Sequence, residues 1–153
     1  MNLKQELKSL YDNRLLENEN NIKEFEESLA KVLDYGSVSV IPDLCLVFDD
    51  DTEQFEVMFG LVHGIERLYK NNTEEGLSYI AKAIPQILNQ ASEWIEILHY
   101  RILNHPEVRL VYRNVLSKQD PFIVDNIKDL LIEIKNEDPD MFSKSVDEVI
   151  NNI

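Results

Sequence analysis

Residues 48–68 read FDDDTEQFEVMFGLVHGIERL. Three aspartates, Asp49, Asp50 and Asp51, run into an apolar segment that carries one histidine and two glycines. Three readings compete: a metal loop, a catalytic helix, or a helix with an acidic cap. The metal reading fails on spacing. An EF-hand loop needs Gly at position 6 and Glu at position 12. Counted from Asp49, those positions hold Gln54 and Gly60; counted from Asp51, position 6 holds Glu56. A zincin carries Glu directly after its first histidine and a second histidine four residues on. Around His63 those places hold Gly64 and Arg67, while His99 and His105 straddle a predicted helix end. The capping reading explains the acids without any ligand. Asp51 and Gln54 match a D-x-x-Q capping box, and Asp49, Asp50 and Glu53 suit the positive end of the helix macrodipole.

The helix that follows is apolar nearly all round. Phe55, Met58, Phe59, Val62, Ile65 and Tyr69 recur at helical spacing, and only Glu56, Gly60, His63 and Arg67 form a polar or small stripe. Such a helix is expected to be central and covered on most sides. Gly60 and Gly64 each cost about 1 kcal/mol relative to Ala, so they are expected to admit close approach of a neighbouring helix. His63 is expected to be hydrogen-bonded within that packing rather than to line a pocket.

Outward from this segment the helical period continues in both directions. Leu3, Leu7, Leu10 and Tyr11 make one stripe; Ile22, Phe25, Leu29 and Val32 make another, which Gly36 is expected to stop. Leu77, Ile80, Ala81, Ile84, Ile87, Leu88 and Ala91 make a further one, with a kink expected at Pro85. Trp94, Ile97 and Leu98 start a separate helix, followed by stripes around Tyr112, Leu130 and Val146. Pro106, Pro121 and Pro139 stand where helices should begin, and Asp120 and Asp138 precede two of them as caps. Residues 37–48 alternate like a strand, but Pro42-Asp43 favours a short helix through Phe48. The expected fold is all-α: about eight helices in one domain over residues 1–153, with antiparallel hairpins stacked as in HEAT-like solenoids.

Net charge is −14, with 7 Lys/Arg against 17 Asp/Glu in residues 1–76 and 8 against 12 in residues 77–153. Such a surface repels phosphate, which argues against nucleic-acid and anionic-membrane partners, and attracts a basic protein. The lone Cys45 excludes an intrachain disulfide and fits a reducing compartment. MNLKQELKSL lacks the apolar core of a signal peptide, and no apolar run approaches a membrane span. A cytoplasmic location is expected.

Catalytic chemistry finds little support. Cys45 has no neighbouring base, and neither a G-x-S-x-G elbow nor a P-loop occurs. The remaining enzyme reading pairs His63 with Glu56 or Glu66. Arg101 lies one helical step from Trp94 and Leu98 on a buried side and needs a partner, for which Glu66 is expected. Trp94 and Tyr112 are expected in the core, and Tyr100, flanked by Glu96 and Asn104, is expected to be exposed. Neither a metal, a cofactor nor a small-molecule substrate is expected.

The stretch IPDLCLVFDDDTEQFEVMFGLVHGIERL at 41–68, followed by ASEWIEILHYRILNHPEVRLVY at 91–112, resembles the immunity protein 30 family of bacterial polymorphic toxin systems. The resemblance rests on the acidic turn, the GLVHGIE helix, and a Trp before RILN and RLVY, and it covers roughly residues 40–115. It implies a small, mostly helical cytoplasmic protein that binds and neutralises a toxin C-terminal domain made by its own cell. The acidity suits a basic toxin, and nucleases are basic where they hold their substrate. Asp49, Asp50, Asp51, Glu53 and Glu56 are the expected contact patch, with Glu93, Glu96 and Tyr100 as second choices. The runner-up is a helical-repeat scaffold or adaptor that binds a peptide or protein partner along a groove.

Overall fold

Local signals set most helix ends. Asn2 and Asn18 accept the backbone N–H groups of Gln5 and Asn21, which caps α1 (Leu3–Asp12) and α2 (Glu19–Tyr35). Gly36 ends α2 in the left-handed region, φ 73°, where a side chain would be strained. Pro106, Pro121 and Pro139 open α6 (Pro106–Leu116), α7 (Pro121–Glu137) and α8 (Pro139–Ile150). The Asp120 and Asp138 carboxylates cap α7 and α8 by accepting from Phe122 N–H and Met141 N–H. Residues 37–48 hold a 3₁₀ turn, Val38–Val40, and a short α3 (Ile41–Cys45), not a strand.

The computed structural model describes residues 1–151 and 153, and among these the chain forms eight α-helices and one 3₁₀ turn, with no strand. The remaining helices are α4 (Phe55–Tyr69) and α5 (Thr73–Leu103). The stripe ending at Ala91 and the one starting at Trp94 form the two limbs of the 31-residue α5, and the boundary expected between them falls on a kink. Its dihedrals leave the helical region at Ala91 (φ −144°, ψ 36°) and not at the expected kink, Pro85. The break sits where an outside side chain enters the backbone ladder, a recognised cause of kinks.

The central helix is α5 rather than α4: it packs against α3, α4, α6, α7 and α8. A strict HEAT-type array joins each hairpin only to its neighbours; here the packing is centred on one helix, with α1–α2 and α7–α8 as hairpin pairs. The core runs along α5 through Leu77, Ile80, Ile84, Trp94, Leu98 and Ile102. The α4 stripe is only partly buried. Met58, Val62, Ile65 and Tyr69 point inward, whereas Phe55, expected in the core, is 56% exposed. Among the described residues no helix is long and apolar enough to cross a membrane.

Glycine permits one expected and one unexpected close approach. A Cβ on Gly64 would stand 3.0 Å from Leu33 Cδ1 of α2, so α4 and α2 meet there at contact distance. The tighter position is Gly76, where a Cβ would overlap Tyr69 Cβ across the α4–α5 turn.

One buried polar pair lies in the core. His99 Nδ1 donates to Ile95 O at 2.7 Å, which leaves Nε2 to accept the Tyr112 hydroxyl at 2.6 Å. Both side chains are fully buried, so this pairing satisfies groups that would otherwise cost free energy. Burial holds the imidazole neutral and lowers its pKa from the ordinary 6.5 to about 4, with the Ile95 bond opposing. Because the folded value lies below the unfolded one, the stabilisation is complete above pH 6.5 and is lost as pH falls toward 4. Urea unfolding across that window should show wild type losing on the order of 3 kcal/mol more than His99→Gln. Parallel pH profiles for the two proteins would contradict the buried neutral imidazole.

Candidate functional site

The acidic turn between α3 and α4 is bonded to the α1–α2 link and to α5 through both its backbone and its side chains. Asp49 is 7% exposed. Its Oδ2 accepts from Arg14 Nε at 3.0 Å, and its Oδ1 accepts the N–H of Asp51 at 2.9 Å. Asp50 reaches across to the break in α5. Its carboxylate accepts the N–H of Glu93 at 3.2 Å, the N–H of Trp94 at 3.4 Å and the Ser92 hydroxyl at 3.2 Å. The two backbone N–H groups lie just past the break at Ala91, so Asp50 acts as an N-cap supplied from another segment.

The clasp is reciprocal. The N–H of Asp50 donates to Gln90 O at 3.0 Å, and Gln90 Nε2 donates to the carbonyls of Leu46 and Phe48 at 3.0 and 2.7 Å. A third strap comes from the α1–α2 link, where Leu15 O accepts the N–H of Glu53 at 2.9 Å. Phe48 lies parallel to Trp94, ring centroids 6.0 Å apart. The capping box expected of Asp51 and Gln54 does not form. Helix α4 begins at Phe55, later than a box at Asp51 requires, and its N-cap Gln54 makes no side-chain cap bond.

The five acids therefore divide. Asp49 and Asp50 are engaged within the fold. Asp51, Glu53 and Glu56 are exposed, as is Glu93 just beyond the break. Among the described residues these four form no ion pair, as is also true of Glu19, Glu26 and Glu27 on α2, whereas Glu74 and Asp147 are paired with Lys118 and Lys135.

Glu96 and Tyr100 form a second group on α5. The Tyr100 hydroxyl donates to Glu96 Oε2 at 3.2 Å. Contrary to expectation the Tyr100 ring is half-buried, stacked on Phe142 of α8 with centroids 5.1 Å apart. Burial and then the Glu96 charge push its phenol up to about 12. The Glu96 carboxyl is itself raised, first by partial burial and then by Glu137, Glu133 and Glu93 around it, against the lowering bond from Tyr100. A cation brought to this patch would relieve that repulsion.

His63 is not part of the helix packing. It is exposed, with Nδ1 3.5 Å from Glu66 Oε1 and its ring 4.9 Å from that of Phe59. Its place on the outer stripe of α4 leaves it no core to enter. Arg101 meets Glu66 as a forked pair, Nε and Nη2 to Oε1 at 3.0 and 2.9 Å. Trp94 is buried beneath Phe55 and Phe59. Cys45 is fully buried, and desolvation pushes its thiol up to about 12, so it is held in the unreactive protonated form.

The model of the immunity protein 30 family matches residues 12–112, about two thirds of the chain. The match takes in the α1–α2 link, the acidic turn, all of α4 and α5, and α6 through Tyr112. No curated protein and no solved structure matches the chain.

The division of the acids has a direct consequence for stability. Asp50→Ala removes a cap and should cost about 1–2 kcal/mol, whereas Asp51→Ala should stay within about 0.5 kcal/mol of wild type. Urea unfolding at neutral pH checks both, and equal effects would contradict the separate roles given to these neighbours.

Proposed function

This chain belongs to the immunity protein 30 family, and we propose that it works in the cytoplasm as a non-enzymatic inhibitor that binds and neutralises a basic toxin C-terminal domain. The observation that supports this best is the set of exposed carboxylates without ion pairs, Asp51, Glu53, Glu56 and Glu93, gathered around the acidic turn. Charges left unpaired by the fold keep their full field for an arriving partner and lose little intramolecular bonding when it docks. Asp49 and Asp50 contribute differently: they hold rigid the loop that presents the others. Glu96 and Tyr100, with Glu133 and Glu137 nearby, extend the same negative face along α5.

A toxin that handles nucleic acid must offer a cationic groove. A protein carrying fixed carboxylates can meet that groove in place of phosphates. Rigid presentation lowers the ordering cost of such a complex, and the long-range field raises its association rate.

Co-expression with the C-terminal domain of whatever large secreted protein is encoded beside it tests this reading. A stoichiometric complex that protects cells and weakens as salt rises is expected; a folded chain that neither binds nor protects against that domain would contradict it. Within the complex, Asp51→Lys with Glu53→Lys and Glu56→Lys should slow association several-fold and flatten its salt dependence. Unchanged rates in stopped-flow mixing would remove this patch from the interface.

A further inference from the structure

We propose that the hollow on the outer face of α4 between Phe55, Phe59 and His63 is the seat for an arginine side chain of the toxin, an inference that deepens the reading above and rests on it. The hollow holds about 310 Å³ and is lined by Phe55, Glu56, Phe59, Gly60 and His63. Its aromatic walls are set by the core beneath. Phe55 leans on Trp94 with centroids 4.6 Å apart, and Phe59 lies 6.1 Å from Phe55 and 4.9 Å from the His63 ring. Phe55 thus keeps much of its ring in solvent while its position is fixed, the state of an anchor ready to be covered.

Gly60 keeps the floor open. A Cβ there would meet only Leu29 Cδ2, at 4.0 Å, so helix packing does not demand this glycine as it demands Gly64.

Charge selects the occupant. No Lys or Arg occurs between Lys31 and Arg67, nor between Lys82 and Arg101. Arg101, on one flank, is engaged by Glu66, and Arg67, one turn beyond His63 on the same stripe, stands 3.9 Å from Asp34 of α2. Glu56 lines the hollow without an ion pair among the described residues, and Asp51, Glu53 and Glu93 stand exposed on the same side of the fold. Arg101 shows what the site accepts, because its Cζ already stands 5.9 Å from the Phe59 centroid on one flank. An incoming arginine would lay its plane on Phe55 and give two N–H donors to the Glu56 carboxylate. A lysine offers only a hydrated point charge there, and a second copy of this chain, at net charge −14, would be repelled.

N-acetyl-arginine amide and N-acetyl-lysine amide, titrated into the full-length ¹⁵N-labelled chain, test the hollow without the toxin. Amide shifts should centre on residues 55–63, with arginine at least several-fold tighter than lysine, and Phe55→Ala or Gly60→Leu should abolish them while the rest of the spectrum stays folded. Shifts spread evenly over the acidic surface, or equal binding of the two amides, would overturn the proposal. In the toxin complex, Phe55→Ala should raise Kd at least tenfold. An unchanged Kd would overturn the arginine seat while leaving the immunity reading intact. A wild-type chain that binds no toxin would sink the immunity reading, and the amide titration would then decide the hollow by itself.

Discussion

At Ala91 the long helix α5 leaves helical dihedrals, and the amides just past the break take an acceptor from another segment. The carboxylate of Asp50 supplies it from 43 residues upstream, at Glu93 N–H, and Gln90 returns bonds to the loop that carries Asp50. Much of the surface follows from this exchange. It sets the path of the chain from α3 to α4, presses Phe48 against Trp94, and lets α4 begin at Phe55 without a cap of its own. It also decides which acids are used. Asp49 and Asp50 turn inward, and Asp51, Glu53 and Glu56 are left outside on a loop strapped to α5 and to the α1–α2 link.

The chain therefore uses its negative charge in two ways. Part of it is structural, paired with Arg14 and Arg101 or bonded to amides, where desolvation is offset by good geometry. The rest is left without an ion pair, at the acidic turn and elsewhere on the surface. The Glu96 carboxyl is raised first by partial burial and then by repulsion from Glu137, Glu133 and Glu93. On the function proposed for this immunity-family protein, a cationic partner releases that repulsion, and aromatic rings beside the acids convert attraction into a defined seat. The same features give buried His99 and Cys45 purely structural parts: one neutral and bonded to Tyr112, the other a protonated thiol.

Much of this was legible in the sequence because its causes are local. Helical stripes, prolines at first positions and Gly36 at a helix end depend on neighbours a few residues away, and they place α1, α2 and α6 to α8. The Arg101–Glu66 pair was accessible because a charge on a buried helix side demands a partner. The features that escaped are set by distant residues. Nothing near Asp50 marks it as a cap for α5, so a capping box at Asp51 and Gln54 looked sufficient. Pro85 does not kink its helix, whereas the boundary read between Ala91 and Trp94 falls on the break; the bonds to Asp50 across that break come from another segment. Gly76 is dictated by Tyr69 across a turn, and no period reveals it. Phe55 fits the apolar stripe, yet it lies at the first residue of α4, beyond the reach of the elements that cover Met58 and Val62.

The most direct measurement is hydrogen–deuterium exchange of this chain free and bound to the basic toxin domain proposed as its partner. A basic partner seated on the acidic turn and the outer face of α4 predicts added protection over residues 51–63 and 92–97, with α7 and α8 little changed beyond their ends. Protection confined to α6, α7 and α8, with the turn exchanging as it does in the free protein, would contradict it.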